Sequence, residues 1–127
     1  MREVPSVSRD SERALYGIID FIPDALFVTD TESTLLDVNA AFEALFHKHR
    51  QEFAGIRFND LLRSVRYDAQ IAARLEQYAG EVVHTGKPVS FDAEADGQWN
   101  RYVINPIFAS EGRVVRLFFV IQNITAL

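Results

Sequence analysis

The segment from Val114 to Ile124 constrains this chain most. Read as a strand, it sends Val115, Leu117, Phe119 and Ile121 to one side. Val114, Phe118, Val120 and Ile124 go to the other, with Arg116 and Gln122 among them. A strand that is apolar on both faces has to be covered on both faces. The rest of the chain, or a second copy of it, must supply two layers.

Periodicity shows where those layers come from. Leu15, Ile18, Ile19 and Ile22 recur at helical spacing, Asp10 or Ser11 can cap the start, and Pro23 ends the run. This predicts an amphipathic helix over 10–22 behind a loose lead-in over 1–9. Two short apolar stretches, 25–29 and 34–38, flank the polar Asp30-Thr-Glu-Ser33 at hairpin length. Asn39 then stands where its side chain can cap a helix over 40–46, on which Phe42, Leu45 and Phe46 share a face. From His47 to Arg66 the apolar spacing is irregular, which predicts only short helical turns around Phe53 and Leu61-Leu62. The clearest helix runs from Asp68 to His84. At 100° per residue Ile71, Leu75, Tyr78, Ala79 and Val82 fall in one quadrant, while Arg74, Gln77 and Glu81 lie outside it. Gly86 suits the left-handed position after the helix, and Pro88 prevents continuation. Three strands complete the chain over 89–95, 99–108 and 114–124, joined at Asp96-Gly97 and Glu111-Gly112.

Two strands, several helices and three strands make an α+β chain whose strands pair into one five-stranded antiparallel sheet. The middle helices cover one face; the helix over 10–22, or a second copy, covers the other. At 127 residues the chain is one domain. Its net charge of −5 argues against a nucleic-acid partner. The absence of cysteine removes disulfides, thiolate metal sites and cysteine nucleophiles. No apolar run approaches the roughly 20 residues of a membrane span, and no cationic-then-apolar start follows Met1. A cytoplasmic location is expected.

Several short stretches carry a family likeness: Ile22-Pro-Asp-Ala-Leu-Phe-Val-Thr-Asp30, Leu36-Asp-Val-Asn39 with Ala40-Ala-Phe42, Thr85-Gly86-Lys87-Pro88, Asn105-Pro106, Glu111-Gly112 and Val120-Ile-Gln-Asn-Ile-Thr125. In this order and spacing, from about Ile18 to Thr125, the chain resembles a PAS domain, the small sensory module of bacterial signalling proteins. Two positions depart from the family pattern. Ser33 stands where the hairpin turn usually carries glycine, and Asn123 stands where the closing motif usually carries aspartate. Asparagine keeps the hydrogen-bonding shape of that residue and loses its charge.

The resemblance implies a non-enzymatic module that binds a small molecule, or a like domain, and passes a conformational change onward. Matched to the family, the cavity lies between the sheet and the helix over 68–84. Phe27, Thr29, Asn100, Tyr102, Leu117 and Phe119 face it from the strands, and Leu75 and Tyr78 close it from the helix. Asp30, Asn123 and Thr125 match signal-relay positions. The resemblance also implies a homodimer through the leading helix and the outer sheet face. Because the chain stops just after the junction motif, the native protein is expected to continue past Leu127 into a histidine kinase, a diguanylate cyclase or a regulator output.

No cofactor is assigned. Haem needs an axial histidine; His84, the only one on the helix over 68–84, points away from its apolar face and is better read as a solvated residue near a helix C-terminus. Trp99-Asn100 resembles a pair in light-oxygen-voltage members of the family. Phe58, however, takes the place of their photoreactive cysteine, so covalent flavin photochemistry is excluded. Gln122 falls one residue late for the flavin-contacting glutamine, at which Ile121 stands, and Phe119 would fill the ring's space; non-covalent flavin is kept as a minor alternative. His47 and His49 diverge by about 200° on a helix and read as a polar corner, not a metal site. Asp92, Glu94 and Asp96 read as a solvated sheet edge. Arg66-Tyr67 reads as facing water at the cavity mouth. Two functions remain: a sensor with an open ligand cavity, or an interaction module whose cavity is filled by Phe27, Phe58, Tyr102 and Phe119.

Overall fold

In the computed structural model the described residues are 20–125. The helix expected over 10–22 therefore lies outside the described residues up to position 19; Asp20 and Phe21 form a turn. The elements that follow are β1 (Ala25–Thr29), β2 (Leu35–Val38), α1 (Ala40–Phe46), a 3-10 turn (Arg50–Glu52), α2 (Phe58–Ser64), α3 (Ala69–Thr85), β3 (Val89–Ala95), β4 (Gln98–Phe108) and β5 (Val114–Asn123). The expected α+β architecture is present, and element bounds differ from the sequence reading by one residue or so.

All five strands form one antiparallel sheet in the order β2-β1-β5-β4-β3. The last strand is thus the central one, inserted between the first and the fourth. Its burial alternates as its composition requires. Val115, Leu117, Phe119 and Ile121 are buried toward the helices, and Phe118 and Val120 are half-buried on the other face. Phe119 lies across from Phe27 on one side and Ile104 on the other. β3 is an edge strand, and Asp92 and Glu94 are exposed on it.

Local chemistry sets the ends of these elements. The Asp68 carboxylate accepts from the amides of Gln70 and Ile71, capping α3. Gly86 ends α3 at φ +72°, with the Phe108 ring 3.4 Å from where a Cβ would stand. Asp96 and Gly97 both take positive φ, 54° and 78°, as a two-residue hairpin turn demands. At the β1–β2 turn Asp30 Oδ1 accepts from the amides of Glu32 and Thr34, and Ser33 is held at φ +66°. The serine occupies a backbone conformation that glycine adopts without steric cost.

Ile71, Leu75, Ala79 and Val82 bury the inner stripe of α3 against the sheet. Arg74, which the helical pattern places off that stripe, lays its guanidinium 4.1 Å from the centre of the Phe91 ring. On α1, Phe42 and Phe46 are buried but Leu45 is 47% exposed. The shared face expected for the three is thereby corrected: a residue 100° from Phe46 lies on the flank of so short a helix. Among the described residues no helix is long and apolar enough to cross a membrane.

Candidate functional site at one end of the sheet

The inner face of the sheet changes character along its strands. In one half Phe27 and Phe119 stack at 4.5 Å, nearly parallel, and Phe58 packs on both at 4.4 and 5.7 Å. Phe42 joins Phe27 at 5.0 Å and continues to Phe46 and Phe53. At the end where β1 begins and β5 finishes, the inward residues become Ala25, Asn100 and Ile121. There an open cleft of about 710 Å³ lies between the sheet, α1 and the α2–α3 connection. Ala25, Ala41 and Ala95 line it, and their short side chains leave the space.

Asn39 builds one wall. Its side chain is fully buried; Oδ1 accepts from the amides of Leu26 at 2.9 Å and Phe42 at 3.0 Å. Nδ2 donates to the carbonyls of Asp24 at 2.9 Å and Ile22 at 3.3 Å. One residue thus caps α1 and pins the start of β1 to it, bringing Asp24 and Ala25 opposite Ala41 and Leu45.

The opposite wall is the α2–α3 connection. Tyr67 N–H donates to the Leu62 carbonyl at 2.9 Å and Arg66 N–H to the Arg63 carbonyl at 3.2 Å, the paired bonds that close a helix through a left-handed residue. That residue is Arg66, at φ +57° and exposed at the cleft mouth. The closure turns Tyr67 inward, where its hydroxyl lies 2.6 Å from that of Tyr102. Asn100 Nδ2 donates to the Tyr102 hydroxyl at a longer 3.5 Å. Burial, and then the bond to Tyr102, push the Tyr67 phenol up from its ordinary value, so it stays neutral. Tyr67, Tyr102 and Asn100 thus form a neutral polar chain, and two of them face the cleft. Asp24, Asp68 and Asp96 also line it, with Arg66 as the one cation among the lining residues.

Of the cavity residues the family likeness points to, Asn100 alone lines this cleft, joined there by the relay position Asn123. Phe27, Leu75, Tyr102, Leu117 and Phe119 are buried in the core behind it. Thr29 is also fully buried, and its Oγ1 lies 2.7 Å from the Asp30 carbonyl, to which it donates. Tyr78 is half-buried against Phe91, which itself stacks on Tyr102. The rings of Phe27, Phe58 and Phe119 occupy the middle of the inner face. The relay positions are split between the two ends of the sheet: Asp30 at the far end of β1, Asn123 and Thr125 beside the cleft.

At that near end Asn123 Nδ2 donates to Gln98 Oε1 at 2.9 Å, and Asn123 Oδ1 accepts from Thr125 N–H at 3.0 Å. Trp99 N–H donates to Thr125 Oγ1 at 2.9 Å. The first of these bonds needs an amide where the family pattern has a carboxylate. The sequence carries no signal for Gln98, because its role is a pairing with a residue 25 positions away. Tyr67, expected to face water at the mouth, is instead turned inward onto Tyr102, while Arg66 does face water. His84 is exposed in the last turn of α3, and His47 and His49 flank a small hollow with Glu43. Among the described residues no three histidine, cysteine or acidic side chains gather as metal ligands.

A second charged cluster ties the N-terminal side to the domain. Arg50 Nη2 lies 2.5 Å from Asp20 and 3.8 Å from Glu43, and its Nε lies 3.7 Å from Asp37. The Arg50 hydrogen bond holds the Asp20 carboxyl below its usual range, whereas burial raises that of Asp37 despite the same guanidinium.

A search of curated proteins finds no match to this chain. Solved structures do match. The PAS domain of Bordetella pertussis BvgS superposes with a TM-score of 0.72 at 18% identity, covering 91% of this chain and 88% of that one. A sensory box sensor histidine kinase from Vibrio cholerae gives 0.68 at 14% identity, covering 91% and 93%. The VqmA–ligand–DNA complex from Vibrio cholera gives 0.66 at 21% identity, covering 91% of this chain and 52% of that one. At these identities the likeness is one of fold. The family model described as the PAS fold matches residues 19–127, almost all of the sequence, and the chain belongs to the PAS family.

Proposed function

We propose that this domain is a sensory input module that takes a small, neutral or cationic hydrogen-bonding molecule in the cleft and relays its presence to a C-terminal effector. The observation that carries the reading is the chain Tyr67–Tyr102–Asn100, which brings neutral polar groups to the wall of a concave site otherwise floored by core. Phe27, Thr29, Leu75, Tyr78, Leu117 and Phe119 form the packed layer behind that wall, and Asn123 with Thr125 begins the relay. Two of the similar structures are described as a sensor histidine kinase and a ligand- and DNA-bound VqmA, which supports a kinase or regulator output; a cytoplasmic location belongs to the same reading. Native mass spectrometry of the purified chain tests the reading: a small-molecule mass should be retained and should be lost in Asn100→Leu. An unliganded mass in both, under conditions that preserve the fold, would sink it.

A second reading is favoured by the Phe27–Phe58–Phe119 stack, which fills the middle of the inner face. Here the domain takes no ligand and acts as a homodimerisation module through the segment 10–22, expected from its periodicity to be helical, and the outer sheet face, where Phe118 and Val120 are half-buried. Sedimentation velocity separates the two. A dimer that Val120→Glu dissociates, with no retained ligand, supports the second.

A further inference from the structure

The cleft and the C-terminal exit share side chains. Gln98 and Asn123 both line the cleft, and both hold the exit. Gln98 Oε1 accepts from Asn123 Nδ2 at 2.9 Å and is a second acceptor for Thr125 Oγ1 at 3.3 Å. An amide oxygen has two lone pairs, so these two donors use its capacity. The Thr125 hydroxyl carries a single proton, and it has two acceptors at nearly equal distance: Gln98 Oε1 at 3.3 Å and the Trp99 carbonyl at 3.4 Å. Its oxygen is meanwhile held by Trp99 N–H, and Ile124 N–H donates to the Trp99 carbonyl at 2.8 Å. The exit thus has two hydrogen-bonding arrangements available without moving the strand.

We propose that Gln98 is the positioning residue that couples cleft occupancy to the exit, and that the ligand class that operates it is a small molecule bearing N–H or O–H donors. The inference rests on the cleft reading above. A donor placed on Gln98 Oε1 must displace one of its two present partners. The longer bond yields first, and the Thr125 proton turns to the Trp99 carbonyl. Asn123, which accepts from Thr125 N–H through the other end of its amide, feels the same change. A ligand with acceptors alone has no such effect, and a carboxylate ligand would also face Asp24, Asp68 and Asp96 across the cleft. Gln98 is exposed on the sheet edge of the cleft and packs into no core, so it can be replaced without emptying the interior.

The test is amide NMR of the chain with three probes of one shape: benzamidine, benzamide and benzoate. Benzamidine, and more weakly benzamide, should move the Asn100 and Tyr67 amide signals. The Ile124 and Thr125 signals should move with the same apparent affinity, and benzoate should move none. In Gln98→Leu, which removes one ligand contact, benzamidine should still move Asn100 at higher concentration but leave Thr125 still, and Gln98→Glu, which keeps the acceptors, should restore the response. Without any probe, Gln98→Leu should raise hydrogen exchange at the Thr125 amide about fivefold, as for one neutral hydrogen bond lost. Thr125 following benzamidine in Gln98→Leu, or unchanged exchange there, overturns the coupling. Asn100 moving while Thr125 stays still in the unsubstituted chain overturns the coupling and leaves the cleft reading in place. Benzoate matching benzamidine overturns the donor class. No movement at Asn100 or Tyr67 with any probe overturns the cleft reading and the coupling together.

Discussion

The inner face of this sheet has a dry half and a wet half, and the strands run continuously through both. β1 passes from Ala25 to Phe27, and β5 from Phe119 to Ile121. β4 passes from Asn100 through Tyr102 to Ile104. In the dry half, large rings meet at 4.4 to 5.7 Å and leave the interior to themselves. In the wet half alanines and amides cannot fill the gap beneath α1 and the α2–α3 connection, so the cleft stays open. Between these residues the pairing register is unbroken. Side-chain size, two residues at a time, decides where a sheet packs and where it receives.

Substitutions can break or sharpen that contrast. The largest effect is expected in the dry half: Phe119→Ala removes the ring stacked on Phe27 and should cost about 3–5 kcal/mol in urea unfolding. At the wet end Gln98→Leu should stay within ~0.5 kcal/mol of the unsubstituted chain, since an exposed side chain carries little stability. Equal losses at both would erase the distinction.

Next in size is Asn39→Ala, at the boundary of the two halves. It strands the buried amides of Leu26 and Phe42 and should cost about 2–3 kcal/mol. Amide exchange should rise first at Leu26 and Phe42 if the residue acts as the joint between β1 and α1. Tyr67→Phe removes one hydroxyl of the 2.6 Å pair and should cost about 1–2 kcal/mol. A double-mutant cycle with Tyr102→Phe should then show a second loss smaller than the first, because the Tyr102 hydroxyl by then keeps only the longer bond from Asn100. Additive losses would mean the two hydroxyls do not support each other.

Two smaller effects lie away from the cleft. Ser33→Gly relieves a left-handed serine in the β1–β2 turn and should raise the urea midpoint by the equivalent of roughly 0.5–1 kcal/mol, without touching ligand retention. The smallest concerns the Arg50 cluster. The Asp20 carboxyl is held low, so its stabilising charge is present above the ordinary carboxylate range and lost as pH falls through its native value. Asp37 is raised, so the fold favours its protonated form and that advantage is lost as pH rises through its native value. Asp37→Asn should therefore gain on the unsubstituted chain at pH 7, by up to ~0.5 kcal/mol given its partial exposure, and lose the advantage toward pH 3. Urea midpoints at the two pH values measure it, and an Asp37→Asn that is worse at pH 7 would show the ion pair with Arg50 outweighing burial.

What the sequence by itself determined was whatever depends on neighbours in the chain. Asp68 and Gly86 bound α3, Asp96-Gly97 turns β3 into β4, and Asn39 caps α1, each through bonds to residues a few positions away. The two apolar faces of 114–124 required a covered strand, and the order of elements required one antiparallel sheet. The candidate site was legible only where the family likeness reached, and of its cavity residues only Asn100 lines the cleft. The remainder joins positions far apart in the chain: Tyr67 with Tyr102, Gln98 with Asn123 and Thr125, Arg74 over Phe91, Arg50 with Asp20. Periodicity assigns a residue to a face and says nothing of what stands opposite. Leu45 shows the same limit, since whether a flank residue is buried depends on how near the next layer comes. Only the tertiary structure decides that, because contact between distant segments is fixed by the packing of whole elements, and there the short side chains of Ala25, Ala41 and Ala95 left a cleft.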